Sequence, residues 1–252
     1  MAKQGRGLIA GNWKMHGVHG FLDEARALAA ALAEQPASAR VAVCPPATLI
    51  HRLSETLDGT TVEVGAQDCR REPNGAYTGD LSAEMLHDAG ARLVILGHSE
   101  RRTAYTEDDA LIAGKVEAAL RAGLEPIVCV GELLEQRKAG QALDVVRAQT
   151  EESLPASLEG RDFAVAYEPV WAIGSGLTPT LEEIEEVHAA IRSILEQRFG
   201  ETGARAPVLY GGSVKPSNAA EILALPTVGG ALVGGASLKA GDFLPIVRAY
   251  GG

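Results

Sequence analysis

The chain has 252 residues, 46% of them hydrophobic and 22% charged, with a formal net charge of -10. That length suits one α/β domain with a substantial core, while the acidic balance argues against nucleic acid or a membrane surface as a general partner and leaves any anion site to be built locally. No apolar run reaches signal-peptide or membrane-span length, and Cys44, Cys69 and Cys129 lack metal-ligand spacing, so a cytoplasmic chain with reduced thiols and neither metal nor disulfide is expected.

Apolar, β-rich runs punctuate the chain in the order GLIAGNWK, VAVCPP, VEVGAQ, RLVILGHSE, PIVCVGE, FAVAYEP, PVLYGGS and ALVGGAS, with helical stretches between them. Thr106 with Asp109 predicts the start of a helix that carries Leu111, Val116 and Leu120 and stops near Gly123. Farther along, Thr180 with Glu183 forms a capping-box pattern ahead of Ile184, Val187, Ile191, Ile194 and Leu195 at helical spacing, leaving Glu182, Glu185, Glu186 and Arg192 to water. Eight such units average about 32 residues, the size of a βα unit, and near-continuous apolar strands suit a sheet covered on both faces. The expected fold is therefore α/β, a parallel (β/α)8 barrel in which residues 1–252 form a single domain. An open doubly wound sheet is the competitor, but GSGLTP lacks the third glycine of a dinucleotide fingerprint.

In a parallel barrel all strand C-termini open onto one rim. Polar residues gather there: Asn12 and Lys14 after the first strand, His98 and Glu100 after the fourth, Glu168 after the sixth. Singly, Glu168 fits a strand cap, Lys14 a solvated charge and His98 a satisfied core histidine, and Glu100 fits a helix start or a partner for Arg101 or Arg102. Together they suit proton transfer beside a carbonyl, in which a carboxylate takes the proton while a cation and a hydrogen-bond donor stabilise the oxyanion. Paired glycines in YGGSVKPSNAAEI and LVGGASLKAG follow the seventh and eighth strands, where bare backbone lets N–H groups approach a phosphate. Their other reading is tight turns. Ser213 lacks the G-x-S-x-G context of a hydrolase nucleophile, His16 and His19 stand three apart without neighbouring acids, and His87 and His188 lie in helical patterns, so metal binding is not expected at any of them.

With these residues assembled, the chain resembles the triosephosphate isomerase family over essentially its whole length, through GNWKM, GAQD, GAYTGD, ILGHSERR, CVGE, AYEPVWAIGSG, YGGSVKP and LVGGASL in order. The resemblance implies reversible interconversion of dihydroxyacetone phosphate and D-glyceraldehyde 3-phosphate through an enediolate, without a cofactor, in glycolysis and gluconeogenesis. It implies Glu168 as the base, neutral His98 as the electrophile, Lys14 and Asn12 at the substrate oxygens and Glu100 as the acid that pairs with Lys14; this mechanism comes with the family and is not read from the residues. Gly174, Ser213, Gly234 and Gly235 would hold the phosphate, and residues 169–179 would form a lid. A homodimer is also implied, joined by the loop from Gln67 to Asp80, with Tyr77 and Thr78 near its tip. Ser175, Asp80 and Gly229 depart from the threonine, glutamate and aspartate common in the family, which puts loop kinetics and dimer stability in question and spares the reaction. Rival readings are another phosphosugar isomerase or epimerase and a noncatalytic phosphometabolite-binding barrel.

Overall fold

A computed structural model describes residues 7–173 and 177–251. Its eight strands are β1 (Leu8–Asn12), β2 (Arg40–Cys44), β3 (Val62–Ala66), β4 (Leu93–Leu96), β5 (Glu125–Val130), β6 (Ala164–Tyr167), β7 (Val208–Tyr210) and β8 (Gly230–Val233). Each pairs in parallel with its sequence neighbours, and β8 returns to β1 to close the barrel. The expected (β/α)8 architecture is the one formed.

Side chains alternate across a strand, so each run serves two cores. Leu8 and Ala10, Ala42 and Cys44, Leu93 and Ile95, Ile127 and Cys129, Ala164 and Ala166, Leu209 and Leu232 fill the barrel interior. The intervening residues, among them Ile9, Val43, Val94, Val128 and Val165, pack outward against the helices. Two of the three cysteines are thus interior filler, and all three are buried and free.

At the N-terminal end of the barrel the inward positions are Arg40, Glu63 and Glu125. Arg40 donates from Nε and Nη2 to Glu63 at 2.9 and 3.0 Å, and from Nη1 and Nη2 to Glu125 at 3.0 and 2.6 Å. One guanidinium fork thereby pairs both carboxylates.

The helix Leu181–Arg205 buries Ile184, Val187, Ile191, Ile194 and Leu195, as their spacing predicts. Its capping box is present: Thr180 Oγ1 accepts from Glu183 N at 3.2 Å, and Glu183 Oε2 accepts from Thr180 N at 2.8 Å. Arg192 departs from its expected wet position. The helix breaks at Gly200, and Arg192 Nη1 donates to the carbonyls of Gly203 and Ala204 at 2.6 and 3.0 Å beyond the break. The helix Asp109–Ala122 also corrects an expectation, because its cap is Asp108, which accepts from Leu111 N at 2.8 Å. Thr106 instead turns the chain with φ 55°, and Gly123 ends the helix in the left-handed region, as read from the sequence. Gly229 has a packing reason for its departure from the family, since a Cβ there would lie 3.0 Å from Pro207 Cα and Val208 N.

Candidate active site

Carried one step past the interior layer, the same alternation puts Asn12, Gln67, Gly131, Glu168, Gly211 and Gly234 at the inward positions where β1, β3, β5, β6, β7 and β8 run out. Above them lies a cavity of about 330 Å³ whose walls include Asn12, Lys14, His98, Glu168, Ser213, Gly234 and Gly235. Glu100 does not line it. That acid stands behind Lys14, with Oε1 2.5 Å from Lys14 Nζ. Arg101 and Arg102 are engaged elsewhere, Arg101 with Glu107 and Asp68 and Arg102 with Asp109.

His98 reaches the rim because Gly97, at φ 67°, turns the chain out of β4 into the helix Ser99–Ala104. At that helix start Glu100 N donates to His98 Nδ1 at 3.2 Å. A ring nitrogen that accepts a bond carries no proton, so the neutral tautomer has its hydrogen on Nε2. Nε2 lies 3.0 Å from Glu168 Oε1.

Glu168 is almost wholly buried, at 1% exposure. Its Oε2 accepts from Ser99 N and its Oε1 from Ser99 Oγ, both at 3.0 Å. Burial pushes this carboxyl upward, but His98 and the two Ser99 donors together outweigh it, and the net direction is down. The ionised carboxylate is the form this seat holds.

Lys14 is one of two non-glycine residues with positive φ among those described, at 53°. Such a backbone persists only where its surroundings hold it. Asn12 Oδ1 accepts from Lys14 N at 2.9 Å, and Gln67 Nε2 donates to Lys14 O at 2.8 Å and to Cys44 O at 2.9 Å. Asn12 therefore sets the lysine as well as lining the cavity. Gln67 was legible only as the start of a loop, and its bracing role depends on a contact 53 residues away in sequence.

The two glycine pairs follow β7 and β8 at the rim. A Cβ on Gly212 would lie 2.2 Å from Tyr210 Oη, and one on Gly234 would lie 3.4 Å from Lys14 Cε. Gly234 heads the 3-10 turn Gly235–Ser237, at whose N-terminal start the first N–H groups lack acceptors within the turn. Ser237 Oγ bonds Gly234 O at 2.7 Å, and Trp13 Nε1 bonds Ser237 O at 3.0 Å, which ties this wall to β1. Asn218 shapes the other pair, donating to Ser213 O at 3.0 Å and accepting from Lys215 N at 2.8 Å. Lys215 also lines the cavity, a second cation that the GGSVK motif offered and motif reading passed over. Gly174, with Ser175 and Gly176, lies outside the described residues. Before them Ile173 lines the cavity, and Trp171 Nε1 donates to Glu132 Oε1 at 2.8 Å.

The remaining histidines stay out of this chemistry. Burial pushes His188 down to about 3, so it is a neutral core residue, and the described residues contain no group of acids, histidines and cysteines fit to hold a metal ion. No helix among the described residues is long and apolar enough to cross a membrane. The loop 67–80 is folded on itself: Arg70 N donates to Leu81 O at 2.8 Å across its neck, and Arg70 Nη1 bonds Asp80 Oδ2 at 2.6 Å. Beneath it, buried Lys115 bonds Asp68 and Glu107, each at 2.7 Å.

The family model described as triosephosphate isomerase matches residues 7–250. The chain is 62% identical over 244 residues to the triosephosphate isomerase of Caulobacter vibrioides, covering 97% of this chain and 96% of that protein. To the triosephosphate isomerase of Xanthobacter flavus it is 54% identical over 251 residues, covering all of both. Among solved structures, the crystal structure of triosephosphate isomerase from Bartonella henselae superposes with a TM-score of 0.91 at 49% identity, covering 97% of this chain and 98% of that one.

Proposed function

Since the chain belongs to the triosephosphate isomerase family and is an isomerase of triose phosphates, we propose that Glu168 is its base, His98 its electrophile, and Lys14 with Asn12 its anion-holding pair. Glu168 takes a proton from C1 of dihydroxyacetone phosphate, and the electron pair left behind forms the enediolate. His98 Nε2–H donates to the carbonyl oxygen and relays the proton between the two oxygens. Glu168 then returns its proton to C2, giving D-glyceraldehyde 3-phosphate. Lys14 stabilises the negative charge, with Glu100 orienting its ammonium, and Ser213, Gly234, Gly235 and Gly174 hold the phosphate.

The observation that carries this reading is the 3.0 Å approach of His98 Nε2 to Glu168 Oε1 at a cavity that Lys14 also lines. Ser99 supports it by holding the carboxylate in its ionised form, ready to turn toward a bound carbon. Residues 169–179 act as a lid, supported by the apolar run Val170–Ala172 and by Ile173 at the cavity wall. The purified chain is expected to turn over D-glyceraldehyde 3-phosphate in a coupled assay and, in deuterated water, to place solvent deuterium on carbon. Phosphate binding without turnover would instead leave a noncatalytic phosphometabolite-binding barrel.

The Ser99 contacts carry a pH prediction. The carboxyl is held down in part by Ser99, and kcat/KM is lost as pH falls through the free enzyme's base. Ser99→Ala removes the Oγ donor, so the base takes its proton at higher pH and the acidic limb of kcat/KM moves upward. A limb that stays put, or moves down, would reject this role for Ser99.

Residues 1–252 act as one catalytic domain, and the working form is a cytoplasmic homodimer joined through the loop 67–80, with Thr78 supporting the partner's Asn12 region. Apolar side chains near this loop and near Lys14 favour the dimer: Met15 is 94% exposed and Tyr105 66%. Dilution below the dimer dissociation constant is expected to reduce specific activity, followed by light scattering and assay on the same samples. Full specific activity in a demonstrated monomer would remove the claim.

A further inference from the structure

Glu168 sits between two bare stretches of backbone. At the level where β6 presents the acid inward, the inward positions of its neighbours are Gly131 and Gly211. A Cβ on Gly131 would lie 1.7 Å from Glu168 O, and one on Gly211 would lie 2.9 Å from Glu168 Cγ. The base is therefore only as fixed as these two segments.

Gly131 has no strand on its other side. β4 pairs with β5 only as far as Leu96 opposite Val128, whereas β5 runs on beside β6, with Val130 O accepting from Glu168 N at 2.8 Å and Glu132 O accepting from Val170 N at 3.2 Å. Peptide groups alternate along a strand, so the N–H and C=O of Gly131 turn away from β6, toward the side where β4 has ended. Both are taken by one side chain: Gly131 N donates to Gln149 Oε1 at 2.7 Å, and Gln149 Nε2 donates to Gly131 O at 3.2 Å. Gln149 projects from the helix Ala142–Ser153 and supplies the two bonds that a longer β4 would have made.

We propose that Gln149 is a positioning residue for Glu168, acting through the backbone of Gly131; the inference rests on the assignment of Glu168 as the base. Gln149 also lines, with Ser99, Gly131 and Glu168, a separate cleft of about 300 Å³. If the amide is lost, water from that cleft can satisfy Gly131, so folding is largely spared while the restraint on the base is not.

Gln149→Met keeps the length of the side chain and removes both bonds. It is expected to lower kcat by about ten- to a hundredfold, the penalty for a small misplacement of a reacting group. KM and inhibition by inorganic phosphate should change less than twofold. Gln149→Glu, which keeps an acceptor for Gly131 N–H, is expected to fall between Gln149→Met and the parent. In a Glu168→Asp background the effect of Gln149→Met should shrink, because the base is already displaced. Parent kcat in both Gln149 variants would overturn the proposal, as would an undiminished effect in the Glu168→Asp background or a loss that merely tracks the unfolded fraction in thermal melts. Parent kcat in Glu168→Asp alone would strike the assignment of the base; an impaired Glu168→Asp beside a normal Gln149→Met would strike only the positioning role.

Discussion

Glu168→Asp is expected to lower kcat by about a hundredfold to a thousandfold while leaving KM and phosphate inhibition nearly unchanged. The substitution keeps the charge and withdraws the carboxylate by one methylene. In the parent that carboxylate is placed by five constraints: His98 Nε2 at 3.0 Å, the two Ser99 donors at 3.0 Å, and the glycine walls at Gly131 and Gly211. A shorter acid can keep the Ser99 seat or reach the substrate carbon, but not both with the same backbone, and proton transfer depends steeply on approach. Ser213, Gly234 and Gly235 follow β7 and β8 and are untouched. Steady-state kinetics checks this directly: an unchanged kcat would mean that Glu168 is not the base, and a raised KM at constant kcat would make it a binding group only.

Lys14→Ala is expected to damage both binding and catalysis, lowering kcat/KM by about a thousandfold. At an effective dielectric near 20, a unit charge about 4 Å from a developing oxyanion contributes roughly 4 kcal/mol, against about 1 kcal/mol or less for an exposed ion pair. The structure favours the larger figure, because the lysine backbone is held at φ 53° by Asn12 and Gln67 and its ammonium meets Glu100 at the edge of the cavity. Removing the ammonium also leaves Glu100 unpaired near an anionic substrate. Lys14→Ala with Glu100→Gln should therefore recover part of the loss, while thermal melts of both variants stay close to the parent, since Glu100 is more than half exposed. Parent-like kcat/KM in Lys14→Ala would return the lysine to the solvated surface.

The punctuated apolar runs were enough to read eight strands, the Thr180 and Glu183 pair to read the capping box, and the strand ends to read Asn12, Lys14, His98, Glu100 and Glu168, because each of these signals is local. Where the reading of the helices erred, a competing group intervened. Asp108 outcompeted Thr106 as a cap once the chain had turned left-handed at Thr106. Arg192 found carbonyls across the break at Gly200 and left the water it was expected to face.

Sequence by itself determined the barrel and brought Asn12, Lys14, His98 and Glu168 to its rim, since periodicity sets which face of a strand or helix is apolar and strand ends set where polar residues can gather. Tertiary structure alone decided how those residues are held: the tautomer of His98, the Ser99 seat of Glu168, the bracing of Lys14 by Gln67, and the Gln149 clamp on Gly131. Each is a bond of about 3 Å made by one particular atom, and for the Ser99, Gln67 and Gln149 contacts the partners lie on different elements. Hydrophobic pattern reports which way a residue faces. It carries no information about which donor from a distant strand or helix will meet it there.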